Sequence, residues 1–227
     1  MKRRTAAAMT ALALFPLTAC SDGLATTDQL SYQIDQSLSA LVIDARAGNI
    51  AIEVGDGPIT VTEEHSYSGS RPATAHQVEG QTLRLTESGC RDDGRCEVAY
   101  RIRLPKAMSA QINAQAGAVV VNGLAGNLHV ATLAGSVEGR GLSSPEVSVR
   151  TEAGETTLAF AEAPNLVRAT TRLGAVELRL PGGTAYAVDV QTKVGESSVD
   201  VDQNPASAHR IEVRSNVGSV KIARHLP

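Results

Sequence analysis

The amino-acid sequence predicts an all-β fold, a β-solenoid or closely related stacked β-strand-repeat domain with an inserted capping β-hairpin. Two observations predict it: a glycine recurs after similar phrases, such as RTEAGETTL at residues 150–158, and apolar and polar residues alternate before each of these glycines. The recurring glycines are Gly48, Gly117, Gly135, Gly154, Gly174, Gly195 and Gly218.

The alternation changes phase at the glycine. Apolar residues stand seven and five positions before it, as Val167 and Ala169 do before Gly174, but two and four positions after it, as Val176 and Leu178 do. A strand cannot change the face it buries without a bend, so each glycine is predicted to form a corner with positive φ. Because one such unit cannot bury its apolar face alone, the units are expected to stack.

Stacking makes specific predictions about side chains at equivalent positions. On the outer surface it predicts the ion pairs Arg168–Asp189 and Glu152–Arg172 between adjacent units. Two units fit less well, because Gly139 and Ser197 occupy expected core positions. Three positions before the glycine, hydroxyl residues are predicted to form a ladder, each bonded to its neighbour or to the backbone. These residues are Thr132, Thr151, Thr171, Thr192 and Ser215.

Residues 55–108 interrupt the repeat. QTLRLTESG and EVAYRIRLP flank Cys90 and Cys96, and we predict that they form an antiparallel hairpin that covers the open end of the stack. A structural disulfide between the two cysteines is the favoured interpretation. A metal site would need two further ligands, and a redox pair normally has only two intervening residues.

The N-terminus predicts export. Three basic residues precede an apolar stretch that ends in Leu-Thr-Ala-Cys, which resembles a bacterial lipobox. We therefore predict a lipoprotein signal peptide over residues 1–19, a lipid anchor in the membrane through Cys20, a flexible tether over 20–37 and the β-repeat domain over 38–227. A non-lipidated signal with an incidental cysteine is the alternative. Removal of residues 1–19 leaves 18 basic and 24 acidic residues, which disfavours nucleic acid as a partner.

A longer run carries a family resemblance. YRIRLPKAMSAQINAQAGAVVVNGLAGNLHVATLAGSVEG, followed by repeated T-x-x-G-x-V phrases, resembles bacterial "putative adhesin" proteins of unknown function with β-strand repeats, over about residues 38–224. The resemblance implies adhesion by name and brings no catalytic or ligand residues. In that family an Asp often follows the corner glycine, and its replacement here argues against a shared cation site. The replacing residues are Asn49, Ala118, Ser136, Glu155, Ala175, Glu196 and Ser219.

These observations favour a non-catalytic lipoprotein anchored to the outer face of the cell membrane, without metal or cofactor, that adheres to or binds an envelope protein or polysaccharide. A sensor or accessory lipoprotein has the same sequence features. The five histidines have no metal-ligand spacing and are expected to be scattered surface residues. They are His65, His76, His129, His209 and His225.

The alternative is a carbohydrate-active enzyme acting on a cell-wall or extracellular polysaccharide. Such an enzyme usually needs paired carboxylates and aromatic sugar platforms. The chain has no Trp, and residues 20–227 contain a single Phe. The candidate carboxylates lie at outward positions after the corner glycines. They are Glu138, Glu155, Glu177 and Glu196.

Overall fold

The computed structural model describes residues 25–91 and 94–225, which form nineteen strands and confirm the all-β prediction. Over this part of the chain no helix has the length and hydrophobicity that a bilayer span requires. The strands are β1 (Thr26–Ile34), β2 (Ala40–Ala47), β3 (Ile50–Val54), β4 (Ile59–Tyr67), β5 (Ala73–Glu79), β6 (Thr82–Gly89), β7 (Cys96–Leu104), β8 (Ser109–Ala116), β9 (Val119–Asn122), β10 (Leu128–Ala134), β11 (Val137–Leu142), β12 (Glu146–Ala153), β13 (Thr156–Phe160), β14 (Leu166–Leu173), β15 (Val176–Pro181), β16 (Ala187–Val194), β17 (Ser197–Asp200), β18 (Arg210–Val217) and β19 (Val220–His225).

The strands form two sheets. Sheet A has the order β1-β4-β7-β3-β9-β11-β13-β15-β19-β17, and sheet B has the order β16-β18-β14-β12-β10-β8-β2-β6-β5. Each repeat places one strand in sheet B before its glycine and one in sheet A after it, and we call such a pair a coil. Neighbouring coils pair in parallel, so that Val149 lies between Val130 and Ala169. The apolar columns of the two sheets meet between them as one core.

The order of the coils in space differs from their order in the chain. The coil of β18 and β19 lies between the coil of β14 and β15 and the outermost coil of β16 and β17. The predicted Arg168–Asp189 pair is therefore wrong, and Arg168 Nε instead lies 3.0 Å from a carboxylate oxygen of Glu212. The predicted Glu152–Arg172 pair is confirmed, with an N–O distance of 3.1 Å.

The predicted hairpin within residues 55–108 is wrong in its pairing. β6 lies in sheet B, parallel to β2, and β7 lies in sheet A, parallel to β3. The two strands therefore form a further coil, with the Cys90–Cys96 loop at its corner. The antiparallel partners are β5 for β6 and β4 for β7. This region does cover one end of the stack, which we call the capped end.

The predicted tether over residues 20–37 is wrong for Thr26–Ile34, which forms β1. This strand pairs antiparallel with β4 along its whole length. Its apolar residues Tyr32 and Ile34 pack against the core. The signal peptide over residues 1–19 and the lipidation site Cys20 lie outside the described residues and remain predictions.

Both exceptions to the repeat have a structural reason. A Cβ on Gly139 would lie 2.6 Å from Cδ1 of Leu142, because β11 shifts register between these residues and the fully buried Leu142 takes the core position. Ser197 belongs to the outermost coil, where its position is exposed to solvent. A polar residue there costs little.

The hydroxyl residues of the predicted ladder lie side by side on successive coils and form what we call the hydroxyl column. Their hydroxyls do not bond to one another from coil to coil. Thr151 and Thr171 stand side by side in the parallel register. The Thr151 hydroxyl instead lies 3.4 Å from the Thr156 hydroxyl across its own corner, and the hydroxyl of Thr192 bonds to the carbonyl oxygens of Val194 and Gly218. Among the described residues, three buried hydroxyls of the column have no hydrogen-bond partner, those of Thr132, Thr171 and Ser215.

Candidate functional site

The outer face of sheet B is the candidate functional site. Its strands alternate inward and outward side chains, and their register places equivalent outward residues beside each other on successive coils. Two depressions of about 430 and 570 Å³ lie on this face. We call the two depressions together the sheet B trough, and their outward-facing lining residues include Gln111, Asn113, His129, Ala131, Ser148, Arg150 and Arg168.

The trough is open because small side chains form its floor. Ala131 and Ser148 are half-buried, while neighbouring positions carry longer polar side chains. At one end Asp44 accepts hydrogen bonds from Arg84 (2.8 Å) and from the amide of Asn113 (2.7 Å). These bonds join side chains of β2, β6 and β8, which belong to three neighbouring coils. The face therefore offers amides, hydroxyls and both signs of charge to a ligand.

A buried polar cluster lies at the capped end, and the sequence analysis missed it. The Glu63 carboxylate accepts hydrogen bonds from the hydroxyls of Tyr32 (2.7 Å) and Thr74 (2.6 Å), and its Oε2 lies 3.0 Å from Nε2 of His65. His65 is 0% exposed, so its prediction as a surface residue is wrong. The alternation in ITVTEEHSY, which puts Glu63 and His65 on the buried face of Ile59 and Val61, was the available signal.

The cluster holds β1 and β5 onto the cap. Tyr32 belongs to β1 and Thr74 to β5, and both bond to Glu63 of β4. Burial raises the pKa of the Glu63 carboxyl, but the bonds from Thr74, Tyr32 and His65 outweigh it, so that the pKa lies below its ordinary value. The ionised carboxylate therefore stabilises the folded state. Because Glu63 and His65 are enclosed between the sheets, they are placed for a structural role.

A second buried carboxyl, Glu87, belongs to the same end of the molecule. Its Oε2 accepts the backbone N–H of Arg46 at 2.8 Å, while its Oε1 has no partner among the residues the structure describes. Burial raises the pKa of Glu87 above its ordinary value, against the lowering effect of these backbone hydrogen bonds. Glu87 takes the column position that Ala45 holds in the next coil.

The other histidines have various environments. His76 stacks on Tyr32 with ring centroids 4.3 Å apart, and Nδ1 of His209 lies 2.8 Å from the carbonyl oxygen of Pro164. His129 is exposed in the trough. Within residues 25–91 and 94–225, no three His, Cys, Asp or Glu side chains are grouped so as to hold a metal ion.

Cations accompany two of the four candidate glutamates, Glu138 and Glu177. Glu138 hydrogen-bonds Arg140 at 2.7 Å, and Glu177 bonds Arg179 at 3.1 Å with Lys221 3.5 Å away. Partial burial raises the pKa of Glu177, but Arg179 and Lys221 outweigh it and lower the pKa below its ordinary value. A general acid for glycoside cleavage needs a raised pKa. Glu155 and Glu196 lie at the corners, directly after Gly154 and Gly195.

The predicted disulfide and corner glycines are in the places the sequence assigns them. A disulfide joins Cys90 and Cys96, with their Cα atoms 5.8 Å apart. All seven glycines connect a sheet B strand to a sheet A strand with φ between +123° and +150°. At Gly154, a Cβ would lie closer than 3.0 Å to the backbone carbonyl oxygen of Gly135 in the next coil. Gly48 makes the equivalent approach to the Val98 carbonyl of the capped end.

The family match covers most of this β-repeat architecture. The sequence profile described as Toastrack DUF4097 matches residues 35–223. The chain belongs to the Toastrack DUF4097 family. The Toastrack match includes the seven corner glycines, the disulfide and the trough, and begins at the end of β1. No curated protein is significantly similar in sequence to this Toastrack chain.

Solved structures share the Toastrack fold. A "putative cell adhesion protein" from Clostridium sporogenes ATCC 15579 superposes with a TM-score of 0.52 at 13% identity, covering 88% of this chain and 100% of that chain. A "putative adhesin" from Bacteroides fragilis NCTC 9343 superposes with a TM-score of 0.52 at 14% identity, covering 87% of this chain and 97% of that chain. At these identities the similarity concerns the fold, and it agrees with the predicted stacked β-strand repeat.

Proposed function

We propose that this Toastrack chain is an exported lipoprotein whose β-repeat domain is a non-catalytic adhesion or binding module for an envelope protein or polysaccharide. The observation that carries the proposal is the sheet B trough. It extends across successive coils, and a repeated outward row of polar side chains suits a long, repetitive or extended ligand better than a compact substrate.

The chemistry of the trough indicates how a ligand is bound. Gln111, Asn113 and Ser148 present amide and hydroxyl groups, which can donate to and accept from the hydroxyls of a glycan or the amides of a peptide. Arg150 and Arg168 add exposed guanidinium groups to the same face, where they are paired with Glu152 and Glu212 respectively. The resemblance to solved structures named as adhesins supports a binding role, and the ion-paired state of Glu138 and Glu177 makes these two poor candidates for carbohydrate cleavage.

The trough is tested by filling it. Ala131→Trp and Ser148→Trp place bulky rings on its floor, where the small native side chains leave room. Thr157→Trp is the matched control, because Thr157 is half-buried on the outer face of sheet A in the same coil as Ser148. Partners are recovered by cross-linking in intact envelopes, followed by affinity capture of the full-length chain.

We expect both trough variants to lose at least about tenfold of a reproducible partner that the wild type and Thr157→Trp retain. Equal recovery by all four proteins contradicts the assignment of the trough. Recovery of a processed polysaccharide fragment, instead of an intact ligand, contradicts the non-catalytic role.

The anchor is tested separately at Cys20. The basic and apolar N-terminal regions followed by Leu-Thr-Ala-Cys motivate it. We expect incorporation of labelled fatty acid and recovery in the membrane fraction, both lost in Cys20→Ser and retained in Cys90→Ser/Cys96→Ser. A wild-type chain without fatty acid contradicts the lipid anchor and leaves the trough assignment untouched.

A further inference from the structure

The end of the stack opposite the cap is unfinished, and we call it the open end. In the coil of β18 and β19, Ile211 and Val213 are both 0% exposed. In the outermost coil the equivalent Val188 and Val190 are only partly buried, as is Val199 in β17. Residues 202–204 bond to Tyr186 at the start of this coil, but Val188, Val190 and Val199 leave the rest of the core cross-section partly exposed to solvent.

The two ends of the stack differ in how the core is closed. At the capped end, β1 and β4 continue sheet A, β5 continues sheet B, and Tyr32 stacks on His76 across the two sheets. At the open end, β16 and β17 are the terminal strands of their sheets, and no described strand continues either sheet beyond them.

The free backbone groups of β16 can be identified. Ala187 donates its N–H to the carbonyl oxygen of His209 (2.8 Å), towards β18, whereas Tyr186 donates to Asp202 (2.8 Å) on the opposite side. Successive amides of a strand point to opposite sides. The N–H and C=O groups of Val188, Val190 and Thr192 therefore point to the free edge. Such an edge is a template for another strand.

We propose that the open end binds a second copy of this chain across a two-fold axis perpendicular to the sheets, with β16 antiparallel to β16 of the partner. A two-fold contact uses the same surface of both copies and closes after two. Placing the axis at Gln191 sets Val190 opposite Thr192 of the other copy, and both residues direct their backbone groups to the shared edge. The same rotation brings the two β17 edges together and covers both halves of the exposed core.

The charges on β16 select this register. Outward along the strand stand Asp189, Gln191 and Lys193, all exposed. With the axis at Gln191, each Asp189 lies opposite the Lys193 of the other copy, so the row is complementary to itself. An axis at Val190 would place Asp189 opposite Gln191 and leave Lys193 unmatched. Within its own copy Asp189 accepts a hydrogen bond from the amide of Gln191 (3.3 Å), and a guanidinium nitrogen of Arg214 lies 3.7 Å from its carboxylate.

A disulfide across the axis tests the proposal in the full-length chain. Gln191 would face its own copy as a non-hydrogen-bonded antiparallel pair, with Cα atoms about 4.5 Å apart, within the range that a disulfide spans. Gln191→Cys should therefore form a covalent dimer when intact cells are oxidised, seen on a non-reducing gel. Thr170→Cys is the matched control, because Thr170 is exposed at the equivalent position of β14, inside the stack.

We expect the Gln191→Cys dimer to exceed the Thr170→Cys dimer at least tenfold, with the wild type as background for its own cysteines. Adding Asp189→Lys should lower the yield at least fivefold, and adding Lys193→Asp to that variant should restore it. Sedimentation of the detergent-solubilised wild type should independently show a dimer at micromolar concentrations.

Three results would overturn the pairing. One is equal cross-linking of Gln191→Cys and Thr170→Cys, which indicates random collision. Another is failure of the charge-swapped double variant to exceed the single reversal. The third is a wild-type monomer at every concentration tested by sedimentation, which does not depend on any substitution.

Discussion

Gly154→Ala tests whether the corner glycines hold the coils in contact. Gly154 has φ +150°, and a Cβ there would approach the backbone carbonyl oxygen of Gly135 closer than 3.0 Å. A backbone carbonyl cannot rotate away as a side chain can. An alanine is therefore accommodated only if the two coils separate at this corner.

The expected cost has two parts. A positive φ costs an L-residue about 1–2 kcal/mol. Separation also weakens the bonds that join these coils beside the corner, from Gly135 N–H to the Ala153 carbonyl (2.9 Å) and from Val137 N–H to the Glu155 carbonyl (2.8 Å). Each contributes about 1 kcal/mol net. The free energy of unfolding should fall by about 3–4 kcal/mol, which lowers Tm by about 6–16 °C for a domain of this size.

Thermal and urea unfolding, followed by circular dichroism, measure this loss. Gly182→Ala is the matched control, because its Cβ would meet no atom within 4 Å and its φ is not positive. We expect the control to stay within about 0.5 kcal/mol of the wild type. Equal stability of Gly154→Ala and Gly182→Ala would refute the close stacking of the corners.

Three further changes have predicted outcomes. Glu63→Gln removes a carboxylate whose pKa is lowered in the folded state. The stability that this carboxylate contributes is present above about pH 4.3 and is lost as the pH falls through the folded-state pKa. Urea unfolding should therefore show that Glu63→Gln lowers the free energy of unfolding by about 1–3 kcal/mol at pH 7 and by less at pH 3.5. Cys90→Ser/Cys96→Ser should lower the free energy of unfolding by about 2 kcal/mol through loss of loop closure, and reductant should lower the wild type equally while leaving the variant unchanged. Thr171→Val removes a buried hydroxyl without a partner and should raise the free energy of unfolding by up to about 1 kcal/mol, whereas Thr151→Val should not; a loss in Thr171→Val comparable to Thr151→Val would contradict this account of the hydroxyl column.

The repeat could be predicted from the sequence because burial imposes a strict pattern on it. Every coil presents the same apolar columns to one core, and the phase change at each glycine records the corner between the sheets. The Glu152–Arg172 pair followed directly from this register. The depressions on the outer face of sheet B are lined by residues of several coils, so the pattern within one repeat does not predict them.

The order of the coils could not be predicted in the same way. The coils have apolar residues at the same positions, so their sequence patterns do not show which coil lies beside which. The periodicity therefore does not place β18 between β14 and β16. The Arg168–Asp189 prediction failed for this reason. Likewise, the alternation in β6 and β7 suits both an antiparallel hairpin and two strands of one coil, and a Cys90–Cys96 bridge fits either.

Residue types alone do not predict the buried cluster at the cap, because Glu side chains are almost never fully buried unless they are paired. The Glu63 carboxylate accepts a hydrogen bond from Tyr32, 31 residues earlier in the chain, and lies beside His65, whose Nδ1 has no partner among the described residues. Tyr32 belongs to β1, a strand whose polar composition is typical of a linker. Only the period-2 pattern of β4 carried the information.

The position of β18 and β19 also bears on how the chain reaches its native state. A chain emerging from its N-terminus completes β16 and β17 first, yet the strand that pairs with β16 in sheet B, among the described strands, is β18. Until residues 210–225 arrive, the edge of β14 is open to β16, whose apolar columns match those of β18. The domain therefore cannot fold coil by coil from the N-terminus. The stack is complete only when β18 and β19 have bound beside β14 and β15, a position that β16 and β17 can occupy before them.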